Sequence, residues 1–221
     1  MSYKVEYFDS NTEWLNSRGL GGSSAAAILN KNPYLSSMDL YNSIKFGRKK
    51  EKEKSNEILE YGHKAEPLIR KIFELNFKYK YKVFAPKNNE MYRCVEYQEL
   101  TATLDGRLED IVTKEKGILE IKTHDVKNSQ DLENWNNHIP DNYFAQLLHY
   151  FIVMDDYSFA WLCSKLRFYK IVDGARVLDR EEIRYYFIKR SEVEKEIAYL
   201  KKKEIEFIEN TRKGIMPTVK I

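Results

Sequence analysis

Two acidic residues and a lysine stand at spacings that suit metal-dependent chemistry. Asp105 is followed fifteen positions later by the triplet Glu120-Ile121-Lys122, and each segment predicts a β-strand. Side chains two apart in a strand project from the same face, so we expect both carboxylates and the lysine to converge at one sheet edge. Carboxylate oxygens suit Mg²⁺ or Mn²⁺, and the lysine can position or deprotonate a water molecule beside such a metal.

The bulk composition favours a single domain covering residues 1–221. The chain is 43% hydrophobic and 32% charged, which is ordinary for a globular protein. Nothing approaches the roughly 18 apolar residues of a membrane span, and the first residues lack the apolar core of a signal peptide. The two cysteines, Cys94 and Cys163, have no C-x-x-C spacing, which predicts a reducing compartment with neither zinc nor disulfides.

Net charge is a weak guide to the binding partner of this chain. The formal value is only +3, and many proteins that bind no polyanion share it. Basic residues concentrate in the stretch 45–54. That run predicts either a mobile arm near a polyanion or a solvated surface, and the sequence leaves both interpretations open.

The hydrophobic pattern predicts an α+β chain, in which helices alternate with groups of strands. The predicted helices are a short one through Trp14 and Leu15 capped by Ser10 or Asn11, and the segments 25–29, 38–45 (capped by Ser36 or Ser37), 56–76, 143–153 and 192–212. The predicted strands are 79–84, 91–95 and the two motif strands, together forming a meander, then 158–163 and 184–188. Gly62 and Pro67 are expected to break or kink the long helix, Asn32-Pro33-Tyr34 to form a turn, and the polar stretch 124–142 to form a loop.

An ordered set of motifs across residues 14–165 resembles a known superfamily. The motifs are Arg18, Gly21-Gly-Ser-Ser-Ala-Ala-Ala-Ile28, Asn32-Pro-Tyr34, Gly62-x-x-x-Glu66, Leu104-Asp105-Gly106, Leu119-Glu-Ile-Lys122 and Tyr143-x-x-Gln146-x-x-x-Tyr150. Together they are similar to the lambda-type phage exonucleases and the YqaJ-like viral recombinases of the PD-(D/E)xK nuclease superfamily. One departure is Leu104, which stands where the superfamily name has proline.

The resemblance implies a fold and a set of residue roles. The fold would be restriction-endonuclease-like, with a central mixed sheet flanked by helices in one nuclease domain. The implied metal ligands for Mg²⁺, for which Mn²⁺ can substitute, are Asp105, Glu120, Glu66 and the Ile121 carbonyl. The implied supporting residues are Lys122 for the water, Gln146 and Tyr143 for the lysine, water or scissile phosphate, and Arg18 and Ser23 for a 5′-terminal phosphate.

The resemblance also implies an activity, partners and a location. Members digest one strand of duplex DNA in the 5′→3′ direction from an end, and the 3′ overhang passes to a single-strand annealing protein. Homotrimeric rings occur in the family. The expected location is the host cytoplasm, or the nucleus for a virus of eukaryotes.

Structural interpretations compete with each functional one. Without the other motifs, Glu66 is interpreted as a solvated helix residue and Gln146 as a core amide with a hydrogen-bond partner. Arg18 is interpreted as a surface cation, and Gly21-Gly22 as a turn that leads into a helix. His149 is expected to be structural, and Trp135 either wedges or stacks on DNA or packs a loop. Two other functions stay open: a structure- or sequence-specific endonuclease on the same core, and a non-catalytic DNA-binding protein.

Overall fold

Two β-sheets and a set of surrounding helices make up the computed structural model, which describes residues 3–47, 57–136 and 138–218. The strands are β1 Tyr3–Tyr7, β2 Tyr81–Phe84, β3 Glu90–Cys94, β4 Thr101–Ala102, β5 Gly106–Asp110, β6 Lys116–Val126, β7 Tyr157–Val172 and β8 Ala175–Lys189. The α-helices are α1 Asn11–Ser17, α2 Gly22–Ile28, α3 Ser37–Lys45, α4 Glu57–Asn76, α5 Ser129–Glu133, α6 Asp141–Val153 and α7 Glu194–Lys213, and a short 3₁₀ turn spans Arg190–Glu192.

The larger sheet is mixed and has the order β2-β5-β6-β7-β8. Strands β6 and β7 are parallel, whereas the other neighbours in this sheet are antiparallel. Parallel neighbours need a crossover connection, and α5 and α6 supply it. The predicted α+β class with a central mixed sheet flanked by helices is therefore confirmed.

Helices cover both faces of this sheet, and strand β6 shows which residues meet which helix. Its residues Leu119 and Ile121 share a hydrophobic cluster with Phe73 of α4. Ile118 belongs to the main cluster on the other face, together with Phe151 of α6. Because side chains alternate along a strand, the even-numbered positions of β6, which include the predicted glutamate and lysine, face α6.

The predicted meander is wrong, because its strands belong to two sheets. Strand β2 pairs with β5 in the larger sheet, whereas β3 pairs with β1 and β4 in a second sheet of three strands. The chain leaves the small sheet at Ala102 and enters the large one at Gly106. Asp105 therefore lies in the link between two strands rather than at the end of a long strand.

Two other segments differ from the sequence-based expectations. The stretch 124–142, expected to be a loop, holds the end of β6, the helix α5 capped by the Asn128 side chain, and the start of α6. The late strands are far longer than expected and form one hairpin. Its turn residues Asp173 and Gly174 have φ values of 51° and 78°, the left-handed conformation that two-residue hairpin turns of type I′ require.

The N-terminal helices follow their predicted signals more closely. Ser10 caps α1 by accepting a hydrogen bond from the Glu13 N–H, and Ser36 caps α3 in a capping box. Of the expected break or kink, the break is wrong, because helix α4 is continuous with Pro67 inside it; the kink stays a prediction. Positions 48–54 of the basic run lie outside the described residues. No helix in the part of the chain that the structure describes is long and apolar enough to cross a membrane.

Candidate active site

Asp105, Glu120 and Lys122 meet on the central strand β6 of the large sheet, beside the start of β5, rather than at a sheet edge. The Asp105 carboxylate accepts a hydrogen bond from the Ile121 N–H at 2.7 Å. Glu120 is 1% exposed, and its Oε1 atom lies 2.6 Å from the Lys122 ammonium. The structure therefore brings together the three side chains that the sequence spacing singles out, with β6 supplying two of them from one face.

Helix α6 closes the site from the face that Glu120 and Lys122 share. The Gln146 amide donates hydrogen bonds to Glu120 Oε1 at 2.7 Å and to the Tyr150 hydroxyl at 2.6 Å. The Lys122 ammonium lies 5.4 Å from the centre of the Tyr143 ring, within the range of a cation–π interaction. Residues three apart on a helix share a face, which explains why Tyr143 and Gln146 both reach the site.

A glycine lets helix α2 approach α6 closely. A Cβ atom placed on Gly22 would lie 2.4 Å from the Gln146 Cγ atom, so a larger residue would displace the amide that bonds Glu120. This contact brings the start of α2 beside the site. Arg18 lies there too, since a Cβ on Gly21 would be 3.6 Å from its guanidinium, and it stacks 4.8 Å from the Trp14 ring. Ser23 is exposed on the same helix.

Glu66 reaches the same region from α4 on the opposite side, but another residue holds its carboxylate. Arg70, one turn later on the helix, forms an ion pair with Glu66 and donates a hydrogen bond to the backbone carbonyl of Asp105 at 2.6 Å. Burial and the neighbouring Asp105 raise the pKa of Glu66, and Arg70 opposes that rise. Glu66 is thus close enough to Asp105 to feel its charge, while its carboxylate is paired with Arg70.

The site confines two carboxylates with one ammonium group. Burial, and then the charge of Asp105, raise the pKa of Glu120 to about 8, although Lys122 opposes the rise. Burial also raises the pKa of Asp105. Burial alone would lower the pKa of Lys122, but the two carboxylates outweigh it and raise that pKa. Lys122 is therefore an ammonium ion at neutral pH in the metal-free protein, which suits orienting a water or phosphate better than removing a proton.

The donor set of Asp105 and Glu120 fits a hard divalent cation. Buried polar atoms almost always have a partner, yet Glu120 Oε2 is buried and has no hydrogen-bond partner among the residues that the structure describes. A cation would satisfy that oxygen and relieve the repulsion between the carboxylates. Within residues 3–47, 57–136 and 138–218, however, no group of three or more His, Cys, Asp or Glu side chains is placed to hold a metal.

The raised pKa of Glu120 predicts a pH-dependent stability for the metal-free protein. Between the ordinary value of 4.5 and about 8, folded Glu120 keeps a proton that the unfolded chain loses, so its contribution makes stability fall as pH rises through this window. Glu120→Gln has no proton to lose. In EDTA we expect the free energy of unfolding of this variant, relative to that of wild type, to be higher at pH 8 than at pH 5 by about a few kcal/mol. Urea unfolding at both pH values measures the gain, and a parallel pH dependence for the two proteins would contradict it.

Two other residues that the sequence singled out lie in the core. Trp135 is 2% exposed and packs against the rings of His124 and Tyr143, so it packs a loop and the wedge interpretation is wrong. His149 is fully buried, with Nδ1 2.7 Å from Glu204 of α7 and Nε2 3.0 Å from the Thr101 carbonyl. These contacts fit the structural role predicted for the histidine.

Sequence reasoning gave no role to two residues that contact this centre. Tyr150 stands in the quoted helix motif, and its hydroxyl accepts the second bond of Gln146. Arg70 lies four residues after Glu66, a spacing that predicts an ion pair on a helix. The bond from Arg70 to the Asp105 carbonyl had no sequence signal, because it depends on how α4 packs against the sheet.

Comparison with known proteins gives one family and one fold. A family model described as the YqaJ-like viral recombinase domain matches residues 13–156. The structure is similar to an alkaline exonuclease from Laribacter hongkongensis, with a TM-score of 0.54 and 17% identity over 92% of this chain and 98% of that chain. The same exonuclease in complex with dAMP gives a TM-score of 0.52 at the same identity and coverage. No curated protein matches the sequence. The likeness confirms the predicted PD-(D/E)xK fold.

Proposed function

Because the chain belongs to the family of YqaJ-like viral recombinase domains, we propose that it is a metal-dependent deoxyribonuclease of viral or phage DNA recombination. More specifically, it digests one strand of duplex DNA from an end in the 5′→3′ direction. The observation that carries the proposal is the Glu120 carboxylate, which lies close to Asp105 and beside the Lys122 ammonium. Its buried Oε2 atom has no hydrogen-bond partner within the described part of the chain. Residues 1–221 act as one nuclease domain in this proposal.

Each residue of the centre has a role in hydrolysis of the phosphodiester. Asp105, Glu120 and the Ile121 carbonyl would hold the cation, and Glu66 would contribute if it separated from Arg70. Bound Mg²⁺, or Mn²⁺ in its place, would lower the pKa of the attacking water and neutralise charge on the leaving oxygen.

The remaining residues of the site position the reacting groups. Lys122 orients the water or the scissile phosphate through its ammonium group. Gln146 fixes Glu120 by a hydrogen bond, and the Tyr143 ring supports the lysine.

DNA is the polymer that the family and the fold favour. The exonuclease of similar fold has been solved in complex with dAMP, a deoxynucleotide, which supports deoxynucleotide units as the substrate here. Digestion of one strand would leave a 3′ overhang, and a single-strand annealing protein is the partner we propose for it.

Linear and circular DNA distinguish the proposed exonuclease from its alternatives. Purified protein is incubated with linear duplex carrying a label at either the 5′ or the 3′ end, and with covalently closed circles, in Mg²⁺ or EDTA. We expect early release of the 5′ label, intact circles and no reaction in EDTA. Cleavage of circles would favour an endonuclease. Metal-dependent binding without cleavage would favour a non-catalytic DNA-binding protein.

Arg18 and Ser23 are the proposed clamp for the 5′-terminal phosphate. Backbone N–H groups at the start of a helix favour an anion, and the guanidinium fork of Arg18 matches a phosphate. A phosphate docked there would place the next phosphodiester toward Asp105 and Glu120, because α2 packs against Gln146.

Substitution of the arginine tests this clamp. We expect Arg18→Ala to slow digestion of 5′-phosphorylated duplex about tenfold or more, the loss of one charge-assisted contact, and digestion of 5′-hydroxyl duplex little. Initial rates on the two substrates measure the preference. The control is Arg180→Ala, which changes an exposed arginine on β8. If Arg18→Ala keeps the wild-type preference for 5′-phosphorylated over 5′-hydroxyl duplex, Arg18 is not the clamp and is only a surface cation beside a structural turn.

A ring around the DNA is the proposed assembly. An enzyme that encircles its substrate stays attached between cuts without tight binding to any one phosphate. Light scattering at micromolar concentration is expected to report about three times 26.3 kDa. A monomer that still degrades long duplex in one encounter would refute the trimer. The host cytoplasm, or the nucleus for a virus of eukaryotes, is the proposed location.

A further inference from the structure

One arginine, Arg70 of α4, connects two of the predicted metal ligands. Its side chain is only 14% exposed. The Nε atom donates to the backbone carbonyl of Asp105 at 2.6 Å, while the Nη2 atom of the same guanidinium pairs with the Glu66 carboxylate. A single planar group thus ties helix α4 to the link between β4 and β5.

That tie matters because the sheet does not fix the backbone of Asp105. The ladder between β5 and β6 begins at the pair Gly106 and Leu119, one residue after the aspartate. The carboxylate of Asp105 is held by the Ile121 N–H on one side. Arg70 holds its carbonyl on the other side, so the two bonds together set both position and direction of the carboxylate.

We propose that Arg70 is a positioning residue for the divalent cation, holding Asp105 in place through its carbonyl while it keeps Glu66 beside the site. The inference rests on the proposed function and adds a residue to which neither the family match nor the motifs give a role. The guanidinium fork is essential to it, because a lysine carries one compact donor group and cannot make both contacts in this geometry.

Binding of Mn²⁺ to the DNA-free protein, measured by calorimetry, tests the inference independently of catalysis. Loss of a group that orients a metal ligand typically weakens metal affinity by 10–100-fold. We therefore expect Arg70→Met and Arg70→Lys each to weaken Mn²⁺ binding by about tenfold or more. We also expect kcat to fall by a similar factor while the KM for duplex DNA changes less than about twofold.

The lysine variant separates positioning from charge and from folding. Arg70→Lys keeps the charge and the helix propensity, so we expect its melting temperature to stay close to that of wild type while Mn²⁺ affinity falls. The control is Lys71→Met, which breaks the exposed pair between Lys71 and Glu74 at 2.8 Å on the same helix and is expected to leave Mn²⁺ affinity unchanged.

A second comparison separates action through Asp105 from action through Glu66. In a Glu66→Gln background, Arg70→Met is expected to weaken Mn²⁺ binding further, because the bond to the Asp105 carbonyl is still lost. If Arg70→Met does not weaken Mn²⁺ binding further in this background, the proposed role of Arg70 in holding Asp105 is overturned. Wild-type Mn²⁺ affinity in Arg70→Lys would overturn the inference and leave the proposed function standing. Absence of Mn²⁺ binding by wild-type protein would overturn the proposed function and this inference with it.

Discussion

Asp105→Asn and Glu120→Gln are each expected to lower the rate of DNA cleavage by at least about 10³-fold, while DNA binding is retained. The two carboxylates would hold the cation, which supplies several kcal/mol of charge stabilisation in the transition state. Both substitutions keep the shape of the side chain and remove its charge. Since the carboxylates also repel phosphate, their neutralisation is not expected to weaken binding. Single-turnover cleavage and a gel-shift titration measure the two properties.

A third acidic substitution provides the control for this experiment. Glu115→Gln changes an exposed residue in the turn between β5 and β6, close in sequence to both carboxylates and outside the site. Its rate is expected to equal that of wild type. Near-normal cleavage by either of the other two variants would remove that carboxylate from the assignment.

Lys122→Met is expected to lower the rate of cleavage by on the order of 10²–10⁴, the range for loss of a positioned proton-transfer or orienting group. The ammonium lies 2.6 Å from Glu120 Oε1 and 5.4 Å from the centre of the Tyr143 ring, so its position is closely defined. Methionine keeps the length of the side chain and its packing on the ring. Rapid-quench kinetics at saturating Mg²⁺ would measure the loss.

The same strand offers a matched lysine for comparison. Lys116 lies at the start of β6 and pairs with Asp156 at 2.5 Å, far along the strand from the candidate centre. Lys116→Met is expected to cleave at the wild-type rate. If the Lys122→Met variant cleaves DNA as fast as the Lys116→Met variant, Lys122 has no role in cleavage and serves only as the ion-pair partner of the buried Glu120.

The parts of the site that follow local periodicity could be predicted from the sequence. Glu120 and Lys122 share a face because strands repeat every two residues. Tyr143 and Gln146 share one because helices repeat at nearly four. Both rules use neighbours within one element, and the structure brings those two pairs to the same place. Their chemical roles remain proposals.

Contacts that depend on how elements pack could not be predicted in this way. An arginine on a helix normally reaches solvent, and nothing near Arg70 in the sequence indicates that it bonds the carbonyl of Asp105. The Glu120 oxygen that has no hydrogen-bond partner in the described residues is likewise a property of the packed core. The family resemblance placed Glu66 among the metal ligands, whereas its carboxylate is paired with Arg70.

The errors in the fold have a similar cause. The sequences of β3 and β4 do not indicate which strands they pair with, and only the observed pairing shows that they form a separate sheet with β1. The long hairpin of β7 and β8 carries many charged residues beyond the core, as in the pairs of Lys170 with Asp179 and Lys165 with Glu181. Such charge weakens the hydrophobic pattern by which a strand is predicted. The hairpin is nevertheless stabilised by the hydrogen bonds between its strands and by cross-strand side-chain pairs.

The most direct test of the central claim is the release of acid-soluble nucleotides from linear duplex DNA by wild-type protein and by Glu120→Gln. Both proteins are purified in parallel and assayed with Mg²⁺ and with EDTA. We predict release by wild type in Mg²⁺ alone, and none by the variant in either condition. Equal release by the two proteins, or release that continues in EDTA, would contradict a metal-dependent nuclease centred on Asp105, Glu120 and Lys122.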